Sequence, residues 1–304
     1  MTASHMRMGA PEWTLMLILS AVWGSSFFFF KVLVRELPPL TVVLGRVGLA
    51  AVALNLFLLF RRDHLRASPL LWRDFLILGI LNNAIPFTLI AWGETRLSSG
   101  MASILNATTP VFAVLVAHLL TPDEKLSWNR AAGVLLSFAG VVVLVGPAAF
   151  SSRNTPWGQL ACLAAALFYS LGGLYGRRFK HLPVMQVTTG QLSACALLML
   201  PLAGLVDHPW NLAMPSASAW EALAGISLIC TALAYLLFFR ILAVAGATNL
   251  MLVTFLLPVS AMTRGYFALG EKLQLQAFAG IAFIGAGLAA IDGRLPRKLA
   301  DLRR

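Results

Sequence analysis

The amino-acid sequence predicts an all-α integral membrane protein, in which ten transmembrane helices form two inverted five-helix repeats. The first observation is composition: of 304 residues, 59% are hydrophobic and 12% are charged, about half the charged share of a soluble domain. The second is that apolar residues come in runs of about twenty, the length that crosses the hydrocarbon core of a bilayer. The third is a motif that occurs twice, which indicates a duplicated unit.

Ten apolar segments, separated by short corners that contain proline or charged residues, are predicted to cross the membrane. They cover residues 13–34, 39–60, 74–93, 99–120, 128–146, 157–179, 184–206, 219–242, 247–269 and 275–292. The corners are too short to contain a soluble domain, so the protein is expected to consist almost entirely of membrane helices.

The duplicated motif combines an early proline, a charged corner and a glycine-bearing helix. The first copy begins at Pro110 and has Glu-Lys-Leu at 124–126, and the second begins at Pro258 and has Glu-Lys-Leu at 271–273. Each corner precedes a pair of glycines seven residues apart, Gly133 and Gly140 in one copy, and Gly280 and Gly287 in the other. Corner and glycines keep an offset of 147 residues, so chance is a poor explanation.

The match extends upstream and divides the chain into two halves. Pro38, Gly45 and Arg46 correspond to Pro183, Gly190 and Gln191 at an offset of 145. The predicted organisation is a segment 1–11, a first repeat 12–147, a second repeat 156–292 and a basic tail 293–304. Because each repeat crosses the membrane an odd number of times, the second is inverted relative to the first.

Basic residues predict the orientation. Sixteen of the 23 Lys and Arg residues fall on the side of the N-terminus and six on the other, with Arg46 inside a span. Cytoplasmic loops carry the excess of positive charge, so both termini are predicted to be cytoplasmic, in the plasma membrane or, in a prokaryote, the bacterial inner membrane. This topology also explains the net charge of +11. The expected partner surface is therefore a lipid bilayer and not a nucleic acid.

Several of these residues resemble the signatures of a known family. Trp23-Gly-Ser-Ser-Phe27 followed by Lys31, and the two prolines with their charged corners, look like the EamA family of the drug/metabolite transporter superfamily. The resemblance covers nearly the whole chain and implies a ten-helix exporter of small metabolites, a group that includes amino-acid exporters of the YddG type. The second half has Phe168-Tyr169-Ser170 where the first has Trp23-Gly24-Ser25, so the substrate does not carry over.

Polar residues inside spans are the candidates for a substrate cavity. Asn82 and Asn83 are adjacent in the third span, so at most one of them needs to face a substrate. Pro86 removes the hydrogen bond to the carbonyl of Asn82 and is a candidate kink. The alternative role for the amides is interhelical hydrogen bonding, worth about 0.6 kcal/mol per bond.

Two further spans combine amides with proline. Asn106 precedes Pro110, and Asn249 precedes Pro258. Matching prolines in inverted helices could open both helices near the midplane. The alternative is a mild kink in which Thr108 and Thr109 bond back to the chain.

Aromatic residues complete the candidate cavity. Trp23, Tyr169 and Tyr235 lie within spans, and the tyrosine hydroxyls need partners when buried, which suits an amphipathic solute. Small residues in the fifth and tenth spans predict close helix packing. We expect a monomer, with a homodimer through these stripes left open.

Charges within spans are few. Arg46 and Lys31 are expected to extend to the interface rather than to bind a substrate carboxylate, and Glu94, near Arg96, is expected to be interfacial. Since no acidic residue is near the middle of a span, uncoupled transport is favoured over proton coupling.

Enzyme function is not indicated. The five histidines are scattered without a zinc motif, the three cysteines lack metal spacing, and no phosphate-binding loop is present, so no cofactor and no metal site are predicted. A cavity of amides, hydroxyls and aromatic rings favours a small-molecule substrate that is neutral overall, such as a neutral or aromatic amino acid. The alternative is proton-coupled export of drugs or lipophilic cations.

Overall fold

The fold was analysed in a computed structural model that describes residues 10–65, 67–121, 128–145, 155–238, 240–241, 253–270 and 275–292. The corners at 124–126 and 271–273, the tail 293–304 and Asn249 lie outside the described residues. So do most of the predicted segment 1–11 and the side chain of Pro258.

Helices account for nearly all of the described chain. They are α1 (Ala10–Leu33), α2 (Pro39–Phe60), α3 (Pro69–Gly79), α4 (Ile85–Glu94), α5 (Ser99–Asn106), α6 (Thr109–Leu120), α7 (Trp128–Val145), α8 (Pro156–Gly176), α9 (Val184–Val206), α10 (Ala217–Ala224), α11 (Val253–Leu269) and α12 (Leu275–Asp292). Two π-helical segments, Ile80–Ala84 and Gly225–Leu233, join α3 to α4 and extend α10.

Seven helical spans in the described residues are long and apolar enough to cross a membrane. They are Trp13–Leu33, Pro39–Phe60, Pro69–Glu94, Ser99–Leu120, Pro156–Phe179, Val184–Val206 and Ala217–Phe238. Shorter apolar helices, Ala131–Gly140 and Phe278–Gly287, lie in α7 and α12. The protein is therefore all-helical in its described part and crosses the membrane several times, while the count of ten spans stays a prediction.

The helices begin where the sequence supplies a cap. The hydroxyls of Ser68, Ser98, Thr155 and Ser216 each accept a hydrogen bond from a main-chain N–H in the first turn of the following helix. Proline follows two of these caps and also begins α2, because the first helical position needs no N–H donor. The prolines at 39, 69 and 156 thus stand at helix boundaries.

The two glycine-bearing helices α7 and α12 pack against each other. A methyl group on Gly140 would stand 2.9 Å from the carbonyl oxygen of Gly280, and one on Gly287 would stand 2.5 Å from that of Gly133. Close backbone approach of this kind requires glycine. The small residues of α7 therefore pack against α12 of the same chain, namely Gly133, Ser137 and Gly140. Ala282 on α12 is exposed.

A second close approach joins the two halves through α1 and α11. A methyl group on Gly24 would overlap the hydroxyl of Ser260, which itself donates to the main-chain carbonyl of Ser20 at 3.0 Å. Elsewhere α2 packs against α9 and α4 against α8. The largest apolar core runs between these helices and places residues of both halves around one buried centre.

Candidate functional site

A polar and aromatic cluster occupies the centre of the described helices, and Arg46 of α2 is its charged member. The side chain is 6% exposed, and its Nε donates to the hydroxyl of Thr231 at 3.1 Å. The guanidinium carbon lies 3.6 Å from the centre of the Phe87 ring and 5.0 Å from that of Phe30. The expectation that Arg46 extends to the interface is therefore wrong, because its side chain turns into the protein and is held by two aromatic faces.

The adjacent amides of the third span have different surroundings. Asn83 is fully buried beside the hydroxyl of Tyr235, and its amide atoms make no well-aligned hydrogen bond to the described residues. Asn82 instead lies against α8, where a methyl group on Gly172 would come within 3.0 Å of its side-chain oxygen. Asn83 belongs to the cluster, and Asn82 fills a helix contact.

The π-helical turns place two of the polar groups. Asn83 lies in Ile80–Ala84, directly before Pro86, and Thr231 lies in Gly225–Leu233. The Thr231 hydroxyl donates to the carbonyl five residues back, at 2.8 Å, as the wider turn requires. Single π turns inside α-helices are frequent at functional sites. The starts of the two segments, Ile80 and Gly225, are 145 residues apart, the offset that relates Arg46 to Gln191.

Tyr235 connects the cluster to the other predicted aromatic residues. Gln191 Nε2 lies 3.5 Å from the Tyr235 hydroxyl. The Tyr235 ring is 6.5 Å from that of Phe238, which in turn lies 5.7 Å from Trp23. Trp23 is therefore a neighbour of the cluster through Phe238, in a smaller apolar group that α1 residues form with Ala234, Ile241 and Val253.

Tyr169 reaches the cluster from α8. Its ring lies 6.4 Å from Phe87, on which the guanidinium of Arg46 is stacked. Both Tyr169 and Tyr235 are close enough to interact electrostatically with Arg46. The predicted residues Asn83, Tyr169 and Tyr235 are thus brought together around an arginine.

Other predicted residues do not join this group. Asn106 ends α5, and its buried side-chain oxygen has no hydrogen-bond partner among the described residues. The hydroxyls of Thr108 and Thr109 donate to carbonyls three residues back. Span four is therefore interrupted between α5 and Pro110 in the manner of a kink stabilised by threonine, whereas α11 continues through position 258 without a break.

Glu94 is an acidic side chain inside the protein. It ends α4 and is fully buried, so its carboxylate is covered by protein and not exposed to solvent. Lys31 Nζ donates to the main-chain carbonyls of Glu94 and Leu97 at 2.6 and 2.7 Å, and Glu94 interacts electrostatically with Arg46. These two hydrogen bonds hold the Lys31 side chain against the loop after α4.

Sequence reasoning missed Thr231 and Gln191 and misplaced Arg46. The sequence did contain one signal for Gln191. Arg46 and Gln191 occupy matching positions of the two halves, so if one side chain points inward, the other is expected to point inward as well. No such signal existed for Thr231, since its direction depends on the π turn.

Nothing in the described residues forms a group of three metal-ligating side chains. The three cysteines are buried and free. A separate groove of about 670 Å³ lies between α2 and α9, lined mainly by leucine and alanine, with Asn55 bonded to Ser193 at 2.9 Å. Arg46 is not among the residues that line it.

Sequence similarity to named proteins supports a transporter role. Over 277 residues the chain is 23% identical to the uncharacterized transporter YoaV of Bacillus subtilis, covering 89% of this chain and 92% of YoaV. Over 269 residues it is 28% identical to the uncharacterized inner membrane transporter YedA of Escherichia coli K12, covering 86% and 84%. A protein crystal structure with 20% identity aligns with a TM-score of 0.66 over 92% of this chain and 97% of that one, which supports the fold.

The profile of the EamA-like transporter family matches the sequence twice, over residues 12–146 and 156–291. These two matches include most of the described helices and every member of the buried cluster. The chain is a multi-pass membrane protein that belongs to the EamA-like transporter family.

Proposed function

We propose that this transporter exports small organic solutes, in particular neutral and aromatic amino acids, by alternating access. In this proposal ten helices form two inverted five-helix repeats in the plasma membrane, or a bacterial inner membrane, with both termini in the cytoplasm. The observation that carries it is the buried cluster, to which the first repeat contributes Arg46 and Asn83 and the second Tyr169, Gln191, Thr231 and Tyr235. Transporter substrate sites commonly lie between such repeats.

Hydrogen bonds between the two halves at both ends of the bundle are consistent with alternating access. At one end, Asp207 accepts from the N–H and hydroxyl of Thr41 at 2.7 and 3.0 Å, and Glu36 accepts from Ser216. At the other end, the Tyr175 hydroxyl donates to Asp74 at 2.9 Å. Opening the end at Tyr175 would also separate the buried ring of Phe75 from that of Phe179.

The cluster favours a zwitterion over a lipophilic cation. A solute cation at about 6 Å from the guanidinium of Arg46 would be repelled by about 3 kcal/mol at an effective dielectric constant of about 20. That energy corresponds to binding weaker by about 100-fold. A zwitterion, by contrast, carries its own negative charge, which offsets this repulsion, and the aromatic faces and neutral amides suit its apolar side chain and ammonium group.

Flux into and out of liposomes tests the proposal. Purified protein would be reconstituted, and each vesicle batch loaded with one labelled solute: phenylalanine, methionine, threonine, a triose phosphate or a lipophilic cation. We expect flux of the neutral amino acids above that of protein-free vesicles. Flux of the cation alone would contradict the proposal and support the drug-exporter alternative.

Coupling to protons is the second candidate mechanism, and Glu94 favours it. The sequence favours uncoupled transport because no acidic residue is near the middle of a span. Glu94 is nevertheless completely buried, so an acidic side chain inside the protein is available for proton coupling. An imposed pH gradient decides between the two. Uncoupled transport predicts equal rates with and without the gradient. Coupling through Glu94 predicts acceleration in the wild type that is absent in Glu94→Gln.

A further inference from the structure

Arg46 makes no hydrogen bond or ion pair with a carboxylate in the described part of the chain, and Glu94 acts on it only electrostatically. Its Nε bond to Thr231 is the one hydrogen bond that it makes with the described residues. The donors of its two terminal nitrogens are therefore available. A guanidinium cannot lose its proton inside a protein, so the charge persists in this buried position.

The aromatic faces compensate only part of the cost of burying this charge. Stacking on Phe87 and Phe30 stabilises the cation, but by less than the cost of removing an ion from water. Arginine is the side chain whose planar donors match a carboxylate in two parallel bonds. An anion that enters the cluster would thus supply the missing counter-charge.

The charge balance of the region allows a single negative charge. Lys31 and Arg46 both act on the neighbourhood of Glu94, so two cations face one carboxylate. One carboxylate can pair with this net positive charge locally, while the ammonium group of the same solute needs uncharged acceptors. A phosphate dianion would leave an excess negative charge in a region of low dielectric constant, which is costly.

Acceptors for an ammonium group lie on the same cluster. The side-chain oxygens of Asn83 and Gln191 are buried, and neither has a hydrogen-bond partner among the described residues. Both residues approach the hydroxyl of Tyr235, which interacts electrostatically with Arg46. A donor surface for an anion and an acceptor surface for a cation therefore share one site, as a zwitterion requires.

We propose that Arg46 binds the carboxylate of the transported solute and makes this group the main determinant of specificity. The proposal rests on the proposed function, because it assigns the transport site to this cluster. It extends that function by requiring a free monocarboxylate next to an ammonium group. Amides, amines and phosphate esters with the same apolar side chain are then poor substrates.

The test compares phenylalanine with phenylalaninamide, at a pH where both carry the ammonium group and only the first has a carboxylate. Dissociation constants would be measured in detergent for the wild type, Arg46→Lys and Arg46→Gln. Arg96→Gln is the matched control, since Arg96 is also stacked on an aromatic ring, 3.9 Å from Trp92, but at the end of the third span. Labelled phenylalanine flux would be recorded for each variant.

We expect the wild type and Arg96→Gln to bind phenylalanine about 10- to 100-fold more tightly than the amide, the range of a hydrogen bond to a charged group. The ratio should approach one in Arg46→Gln and be intermediate in Arg46→Lys. An unchanged ratio in either Arg46 variant, or equal weakening of both ligands, would overturn the proposal. If Arg46→Gln does not fold, a wild-type ratio near one still overturns it.

The flux and binding measurements together distinguish the proposed role of Arg46 from the proposed transport function. Wild-type flux of amino acids without discrimination against the amide would refute the role of Arg46 and leave the transport function standing. Selective binding without flux of any solute would support the role of Arg46 and refute amino-acid transport. Absence of binding by both ligands would refute the carboxylate proposal.

Discussion

Replacement of Gly287 by alanine should weaken the α7–α12 contact, and Gly285 in the same helix provides a matched control. A methyl group at position 287 would stand 2.5 Å from the carbonyl oxygen of Gly133 and 2.7 Å from the main-chain nitrogen of Ser137. At position 285 it would meet nothing within 4 Å. The Ser137 hydroxyl also lies in the way, but the other two obstructing atoms belong to the backbone. The helices α7 and α12 must therefore separate by about 1 Å to restore ordinary contact.

The magnitude follows from two opposing terms. Alanine in place of a mid-helix glycine stabilises by about 0.5–1 kcal/mol, and both variants receive this gain. Overpacking costs about 1–3 kcal/mol and affects Gly287→Ala alone. We therefore expect the free energy of unfolding of Gly287→Ala to lie about 1–3 kcal/mol below that of Gly285→Ala, with Gly285→Ala slightly above the wild type.

Unfolding by a denaturing detergent in mixed micelles, followed by circular dichroism, measures this difference. Flux per folded molecule should stay near the wild-type value in both variants, since neither glycine belongs to the Arg46 cluster. If Gly287→Ala were as stable as Gly285→Ala, α7 and α12 would not be in backbone contact, and the argument from close packing would be refuted.

Two further predictions concern the candidate site and the loops at one end of the bundle. Asn83→Ala should reduce phenylalanine flux at least about tenfold, the loss expected for one buried hydrogen bond to a charged ligand group, while Asn82→Ala should keep most of it; comparable flux in the two variants would remove Asn83 from the site. At the loop after α1, hydrogen bonds from the side chain and the N–H of Ser216 hold the pKa of Glu36 below its ordinary value of 4.5. A carboxylate with a lowered folded-state pKa stabilises the fold above the ordinary value and loses that contribution as the pH falls through the lowered one. The thermal midpoint of the wild type should therefore fall more steeply than that of Glu36→Gln below about pH 4.5, and parallel profiles would show that the contact does not hold in solution.

The membrane class and the family could be predicted from the sequence because both depend on features that are local in the chain, namely hydropathy and a repeated motif. Hydropathy over about twenty residues depends on composition alone. The motif with Glu124 and Glu271, repeated at a fixed offset, needs no knowledge of folding. Helix starts such as Ser68 and Thr155 are also local, since a cap acts within one turn.

The direction of each polar side chain was decided by tertiary structure. Asn82 and Asn83 are neighbours in sequence, and only their rotation about the helix axis, changed by the π turn of Ile80–Ala84, assigns one to the cluster and the other to Gly172. For Arg46, hydropathy could not show whether a charge near a helix end turns outward to water or inward. The facing rings of Phe30 and Phe87, and the hydroxyl of Thr231 from a distant helix, determine that it turns inward. These partners are remote in sequence and adjacent only in the folded chain, which is why the sequence alone identified a transporter and the packing of its helices identified the candidate binding group.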